Sequence, residues 1–170
     1  MNPTEVFQLA ETELKPGTSL IEASAGTGKT FTIAGVFLRL LLEHALSVDQ
    51  ILVVTYTVAA TEELRGRIRR TLKSACRTLE AGEGAGAGRG VGEDVLLRKF
   101  RGRSQAERHE WGAQLELALR RFDQAPIFTI HGFCQRALRD RAFESGGLFD
   151  TEVISDQSDL VQEVLDDIWR

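Results

Sequence analysis

A chain of 170 residues that is 42% hydrophobic and 27% charged has the size of one globular domain, with ample apolar content for a core and the charge of an ordinary soluble protein. Its two cysteines, Cys76 and Cys134, lie too far apart to suggest a disulfide framework or a zinc site, and both read as small buried apolar residues. The net charge of −4 is unevenly spread: from Ala60 to Arg141 there are 17 Lys/Arg against 11 Asp/Glu, and the flanks are acidic. A basic middle suits a polyanion partner, although a charge run is more often a solvated helix face.

The N-terminal "MNPTEVFQLAETEL" has no basic start followed by an apolar core, so no secretion signal is expected. The longest apolar stretch, Ile33 to Leu42, is interrupted by Gly35 and Arg39 and is too short to span a bilayer. A reducing, cytoplasmic setting is the expectation. Pro16-Gly17 reads as a turn into a strand near Ser19–Ala23, followed by a loop of small residues and a helix from about Lys29 to His44.

The loop Ala23-Ser24-Ala25-Gly26-Thr27-Gly28-Lys29-Thr30 fits the Walker A pattern, with Ala in place of the first Gly. Small residues let successive backbone N–H groups wrap phosphate oxygens, and the next helix aims its positive dipole end at the same anion. Lys29 is spaced to reach β- and γ-phosphate oxygens, and the Thr30 hydroxyl to bind Mg²⁺. A glycine-rich strand-to-helix turn that merely contains a lysine is the bland alternative.

"ILVVT", residues 51–55, is a β-branched run of the kind buried in a parallel sheet. A long helix from about Ala59 to Glu80 follows, with Ala60, Leu64, Ile68, Leu72, Cys76 and Leu79 as its apolar stripe. Arg65, Arg67, Arg69, Arg70, Lys73 and Arg77 occupy much of the remainder. "GEGAGAGRGVG", residues 82–92, reads as a flexible connector, because it lacks the Gly-Lys-Thr ending and any preceding strand. A helix from about Ser104 to Phe122 comes next, then the strand "PIFTI" (126–130) and a helix from His131 to about Phe143. Strands alternating with helices predict a three-layer α/β domain with a mostly parallel sheet, whose ligands collect at the strands' carboxyl ends.

Two further stretches fall at such ends. Thr55, Tyr56 and Thr57 combine hydroxyls with an aromatic, which suits phosphate contact and base stacking on a single strand. The same residues could equally pack and cap the helix at Ala59. Thr129 and His131 repeat the arrangement in "IFTIHGFCQRAL", where a lone histidine is more often structural than functional.

These stretches resemble superfamily 1 helicases of the UvrD/Rep type, whose motif order is a phosphate loop, then "TFT…AA.E…R", then "T.HGF". "LIEASAGTGKTFTIA", "LVVTYT", "ELRGRI", "FTIHGFCQRAL" and "AFESGGLF" (142–149) extend the likeness over nearly the whole chain apart from the glycine run, and they read most like the helicase–nuclease subunits of that group. The resemblance implies a P-loop, RecA-like domain over residues 1–143 and the start of a helical subdomain at 144–170. It implies that Ala23 to Thr30 cradle ATP, that Gly26 and Gly28 shape the loop, and that Lys29 and Thr30 hold ATP and Mg²⁺. Thr55, Tyr56, Thr57, Thr129 and His131 would contact single-stranded DNA, with Tyr56 standing where relatives often have Phe. Val58 departs from the polar residue usual at its position, and Gln8 is the sole candidate for the family's adenine contact. The implied role is coupling ATP hydrolysis to strand separation at DNA ends, in double-strand break repair, beside companion subunits.

ATP hydrolysis requires an acidic pair at the end of an apolar strand. "LVQEVLDDIWR" (160–170) has helical rather than strand spacing, so Asp166-Asp167 is expected on a solvated helix face, and the family's "DE.QD" does not occur in these residues. The chain therefore reads as a fragment that binds ATP without hydrolysing it. A small-molecule kinase would place an acid where Thr55-Tyr56-Thr57 stand. A non-catalytic, nucleotide-gated DNA-binding module is the third reading.

Overall fold

The computed structural model describes residues 6–24, 26, 28–81, 91–141 and 157–169. Among them the order is α1 (Lys29–Glu43), β1 (Val53–Thr55), α2 (Val58–Ala81), α3 (Val91–Arg101), α4 (Gln105–Arg120), β2 (Ile127–Thr129), α5 (Ile130–Asp140) and α6 (Ser158–Ile168). Single 3-10 turns at Val48–Gln50 and Phe122–Gln124 precede the two strands. The chain divides into two compact units, Met1–Ile130 and His131–Arg170.

In the first unit α2 is the central element, packed against α1, α3 and α4 and touching both strands. Its buried side is Leu64, Ile68, Leu72, Ala75, Cys76 and Leu79. Ala60 is exposed and Thr61 is buried in its stead. Steps of four overshoot the 3.6-residue turn by about 40° each, so a stripe extrapolated back to Ala60 drifts off the apolar face. Phe37, Leu38 and Leu41 of α1, Phe100 of α3, Leu115 of α4 and Phe122 complete the core. Phe100 and Trp111 meet edge to face with centroids 5.1 Å apart, which fixes α3 on α4. Helix α4 opens with a capping box: Ser104 Oγ accepts from the Glu107 N–H, and Glu107 accepts from the Ser104 N–H at 3.0 Å.

The sheet among the described residues is two-stranded and parallel, pairing Val53 with Ile127, Val54 with Phe128 and Thr55 with Thr129. The strand expected at Ser19–Ala23 is not formed. A strand is defined by a paired neighbour, and β1 and β2 pair with each other, leaving Leu20 83% exposed outside any regular element. The connector expected over 82–92 lies outside the described residues as far as residue 90, and Val91 and Gly92 already belong to α3, an element the glycine run concealed. The second unit holds α5 and α6, and α5 contains no fully buried residue. No helix of the described residues is long and apolar enough to cross a membrane.

One buried polar cluster ties the N-terminal turn to this core. Arg39, only 2% exposed, donates to the carbonyls of Leu9 (3.0 Å) and Thr12 (2.6 Å) and to Glu43 Oε2 (2.7 Å). Lys99 of α3 donates to the Ala10 carbonyl at 2.8 Å and to Glu43 Oε1 at 2.9 Å. Burial works against the Glu43 charge, but the hydrogen bonds from Arg39 and Lys99 outweigh it and hold the carboxyl below its ordinary value. Leu9 lies over Gly35, where an added Cβ would come within 2.5 Å of the Leu9 Cδ2. The two breaks in the apolar run, Gly35 and Arg39, are thus the two points of α1 on which the N-terminal turn docks.

Candidate functional site

The loop before α1 has the backbone its glycines permit. Gly26 and Gly28 take φ of 78° and 88°, in the left-handed region that a Cβ disfavours. Ala25 and Thr27 lie outside the described residues, and Ala23 and Ser24 are exposed. The Lys29 ammonium turns back into the loop and donates to the carbonyls of Ala23 (2.9 Å) and Ser24 (2.8 Å). The side chain stays exposed while its ammonium holds these two backbone oxygens.

Gly28 is the N-cap of α1 and offers no side-chain acceptor, and the first turn holds no acidic residue. The first-turn N–H groups consequently have neither a side-chain cap nor a competing carboxylate, and the positive end of the helix dipole faces the loop. Thr30, half-buried, stands in that same turn. Uncapped donors, an ammonium and a hydroxyl thus share one helix end, whose positive potential can attract an anion. Among the described residues no cluster of three His, Cys, Asp or Glu could hold a metal unaided.

A second constellation lies at the carboxyl end of the sheet. The parallel register sets Thr55 opposite Thr129, so the two strand ends that carry hydroxyls are neighbours. Thr57 caps α2: its Oγ1 accepts from the Ala60 N–H at 3.1 Å, which leaves its own proton available. Thr55 Oγ1 and Thr61 Oγ1 are 2.6 Å apart, and each also lies within reach of the Thr57 carbonyl, at 3.1 and 3.0 Å. Two hydroxyl protons cannot fill three contacts. One hydroxyl donates to the other and the second donates to the carbonyl, so neither has a proton left to offer outward. Tyr56, between Thr55 and Thr57, is 86% exposed. Arg65 Nη2 donates to the Ile127 carbonyl at 3.0 Å and locks the start of α2 to β2.

Of the residues singled out from the sequence, Lys29 and Thr30 share one helix end, Thr55, Tyr56, Thr57 and Thr129 share one sheet end, and His131 is exposed on the first turn of α5. Gln8 is exposed in the docked N-terminal turn, where its backbone carbonyl accepts from the N–H groups of Glu11 and Thr12. Asp166 and Asp167 are exposed on α6, and Gln162 Nε2 donates to Asp166 at 3.1 Å. Sequence reasoning missed Thr61, whose hydroxyl completes the Thr55 loop. An i, i+6 spacing across a strand–helix corner carries no periodic signal, although a threonine on an apolar stripe could have drawn attention.

Residues 4–169 match the UvrD/REP helicase N-terminal domain. The chain is 47% identical over 165 residues to RecBCD enzyme subunit RecB of Escherichia coli (strain K12), covering 91% of this chain and 13% of that protein. Against the RecBCD enzyme subunit RecB of Haemophilus influenzae it is 43% identical over 159 residues, covering 89% and 13%. Against that of Mycobacterium tuberculosis (strain ATCC 25618 / H37Rv) it is 38% identical over 150 residues, covering 88% and 13%. The chain thus spans about an eighth of the length of these relatives. With helices packed around α2, a small parallel sheet and a match over almost its full length, the chain belongs to the UvrD/REP helicase N-terminal domain family.

Proposed function

We propose that this chain is the ATP- and single-stranded-DNA-binding N-terminal part of an ATP-dependent DNA helicase and exonuclease subunit of the RecB kind. The observation that carries the reading is the end of α1: left-handed glycines, an uncapped first turn and a lysine ammonium held at the loop mouth. In this reading residues 1–143 are part of a P-loop, RecA-like domain, and 144–170 begin a helical subdomain.

The loop from Ala23 to Gly28 wraps the phosphates with backbone N–H groups, and Lys29 exchanges two loop carbonyls for phosphate oxygens. The Thr30 hydroxyl would hold Mg²⁺, and the ion would supply charge neutralisation of the phosphates. At the sheet end, Tyr56 stacks on a base and Thr57 and Thr129 contact the same strand, and His131 is a further residue for contact with single-stranded DNA. Thr55 supports this loop from beneath, because its proton is used internally.

Hydrolysis requires an acidic pair beyond those described, so the 170-residue chain binds Mg-ATP without turning it over. The parent protein acts on DNA ends in double-strand break repair and recombination, in the cytoplasm, beside RecC-like and RecD-like subunits. The test is Mg-ATP binding by calorimetry together with ATP turnover, with and without single-stranded DNA, using Lys29→Ala as control. Binding that depends on Lys29 and proceeds without turnover is expected. Lys29-dependent turnover, or nucleotide binding indifferent to Lys29, overturns the reading.

A further inference from the structure

Between Glu63 and Glu80, α2 holds six Lys/Arg and no Asp or Glu. Three of the six serve the fold: Arg65 binds the Ile127 carbonyl, Arg67 is half-buried, and Arg69 lies over the Phe122 ring and 3.8 Å from Asp123. The other three, Arg70, Lys73 and Arg77, are exposed. Steps of three and four put them in one line, on the face opposite Leu64, Ile68 and Leu72. Arg70 donates back to the Gly66 carbonyl at 3.2 Å, and Lys73 and Arg77 have no hydrogen-bond or ion-pair partner among the described residues.

Gly66 continues the line one turn earlier. It is exposed, and an added Cβ would meet nothing within 4 Å. Neither packing nor a left-handed backbone accounts for a residue that weakens a helix interior. A bare turn does permit close approach by the backbone of a partner.

The chemistry of the line selects the partner. Residues 58–81 contain no aromatic side chain, so this face cannot grip a single strand by base stacking. Cations without a carboxylate partner on one helix face suit contacts to phosphate alone, which is how a duplex backbone is held without regard to sequence. At 1.5 Å per residue Arg70 to Arg77 spans about 10 Å. That matches roughly three phosphate steps of one duplex strand, at about 3.4 Å of axis each.

We infer that this line is a docking surface for duplex DNA, with one strand's backbone crossing at Gly66 and neutralised by Arg70, Lys73 and Arg77. The inference deepens the DNA reading proposed above and rests on it for one consequence. Tyr56 precedes the first turn of α2, and the duplex backbone crosses at Gly66, about 12 Å along the helix from Val58, so a junction of single- and double-stranded DNA lies along one helix.

The test is fluorescence anisotropy of the 170-residue chain with a labelled blunt duplex of roughly 20 base pairs and, separately, a single strand of the same length, between about 50 and 200 mM salt. The combined Arg70→Gln, Lys73→Gln, Arg77→Gln variant is expected to lose at least about tenfold in duplex affinity and to flatten the slope of log K against log salt by nearly 3. Its single-strand affinity stays within about twofold of the parent chain. Gly66→Gln, which favours the helix, folds at least as well and weakens duplex binding several-fold. An unchanged duplex slope, an equal loss on both DNA forms, or a parent chain that does not bind duplex overturns the inference; an acidic protein segment as the true occupant gives the first of these. The single-strand reading fails separately, if Tyr56→Ala leaves single-strand affinity unchanged while the duplex result stands.

Discussion

The hydroxyl oxygens of Thr55 and Thr61 lie 2.6 Å apart, and the pair closes on the Thr57 carbonyl, next in the chain to the exposed Tyr56. The pair shapes the loop that presents Tyr56. Thr61→Val, which keeps the shape and removes one donor, should cost about 1 kcal/mol in urea unfolding, because Thr55 can still donate to the carbonyl. Thr55→Val should leave single-strand affinity within about twofold, and Tyr56→Ala should weaken it by about 1–3 kcal/mol with no change in stability.

Lys29 gives the sharpest test of the phosphate cradle. Its ammonium makes two hydrogen bonds to carbonyls at an exposed site, so Lys29→Ala should change the melting temperature little. Charge-assisted bonds to phosphate are worth roughly 1.5–3 kcal/mol each. Removing them should weaken Mg-ATP binding at least about tenfold in calorimetry, while the circular dichroism spectrum stays that of the parent.

Glu43 predicts an acid sensitivity. Its folded carboxyl titrates below the ordinary value of 4.5, so the unfolded chain binds the proton first as pH falls. The stabilisation is complete above 4.5 and is lost as pH drops through the lowered folded value. Glu43→Gln should therefore be less stable than the parent at neutral pH, with a difference that narrows below 4.5. Denaturant midpoints measured across that window check the sign.

The two thiols should differ in reactivity. Burial first, and then the hydrogen bond to Glu80 at 3.2 Å, push Cys76 up to about 11, whereas Cys134 is exposed. A thiol reagent near pH 8 should label Cys134 rapidly in the folded chain and reach Cys76 only on denaturation. Mass spectrometry after a timed quench distinguishes the two sites.

Gly35 and Leu9 should be coupled. A Cβ at Gly35 falls 2.5, 2.9 and 3.1 Å from three Leu9 side-chain atoms, so Gly35→Ala forces Leu9 off its seat. The clash should outweigh the helix-propensity gain of about 1 kcal/mol. In the Leu9→Ala background the same substitution should become neutral or stabilising. A double-mutant cycle with a coupling near zero would remove the Leu9 contact as the reason for the glycine.

The parts of the fold set by local chemistry were legible in the sequence. Lys29 opens α1 as expected, the long amphipathic helix extends over Val58–Ala81, and "IFT" pairs in parallel with "VVT". What escaped depends on partners far along the chain. Ser19–Ala23 looks like a strand, but among the described residues no neighbouring strand supplies its ladder. Arg39 looks like an interruption of an apolar helix face, and only the carbonyls of Leu9 and Thr12 explain its burial. At the candidate site the loop glycines and Lys29 were readable from spacing. The division of labour among Thr55, Thr57 and Thr61 was not, because it turns on counting protons around one carbonyl.

The Arg39 cluster also sets where the chain can be trimmed. Everything before the glycine-rich loop looks dispensable by pattern, yet Leu9, Ala10 and Thr12 supply three of the carbonyls that solvate two cations of the interior. A version beginning near Ser19 would leave Arg39 with Glu43 alone, a guanidinium stripped of water and short of acceptors. A trimmed form of this chain should therefore start upstream of Leu9, and a fusion placed between that turn and α1 should loosen the seat of α1.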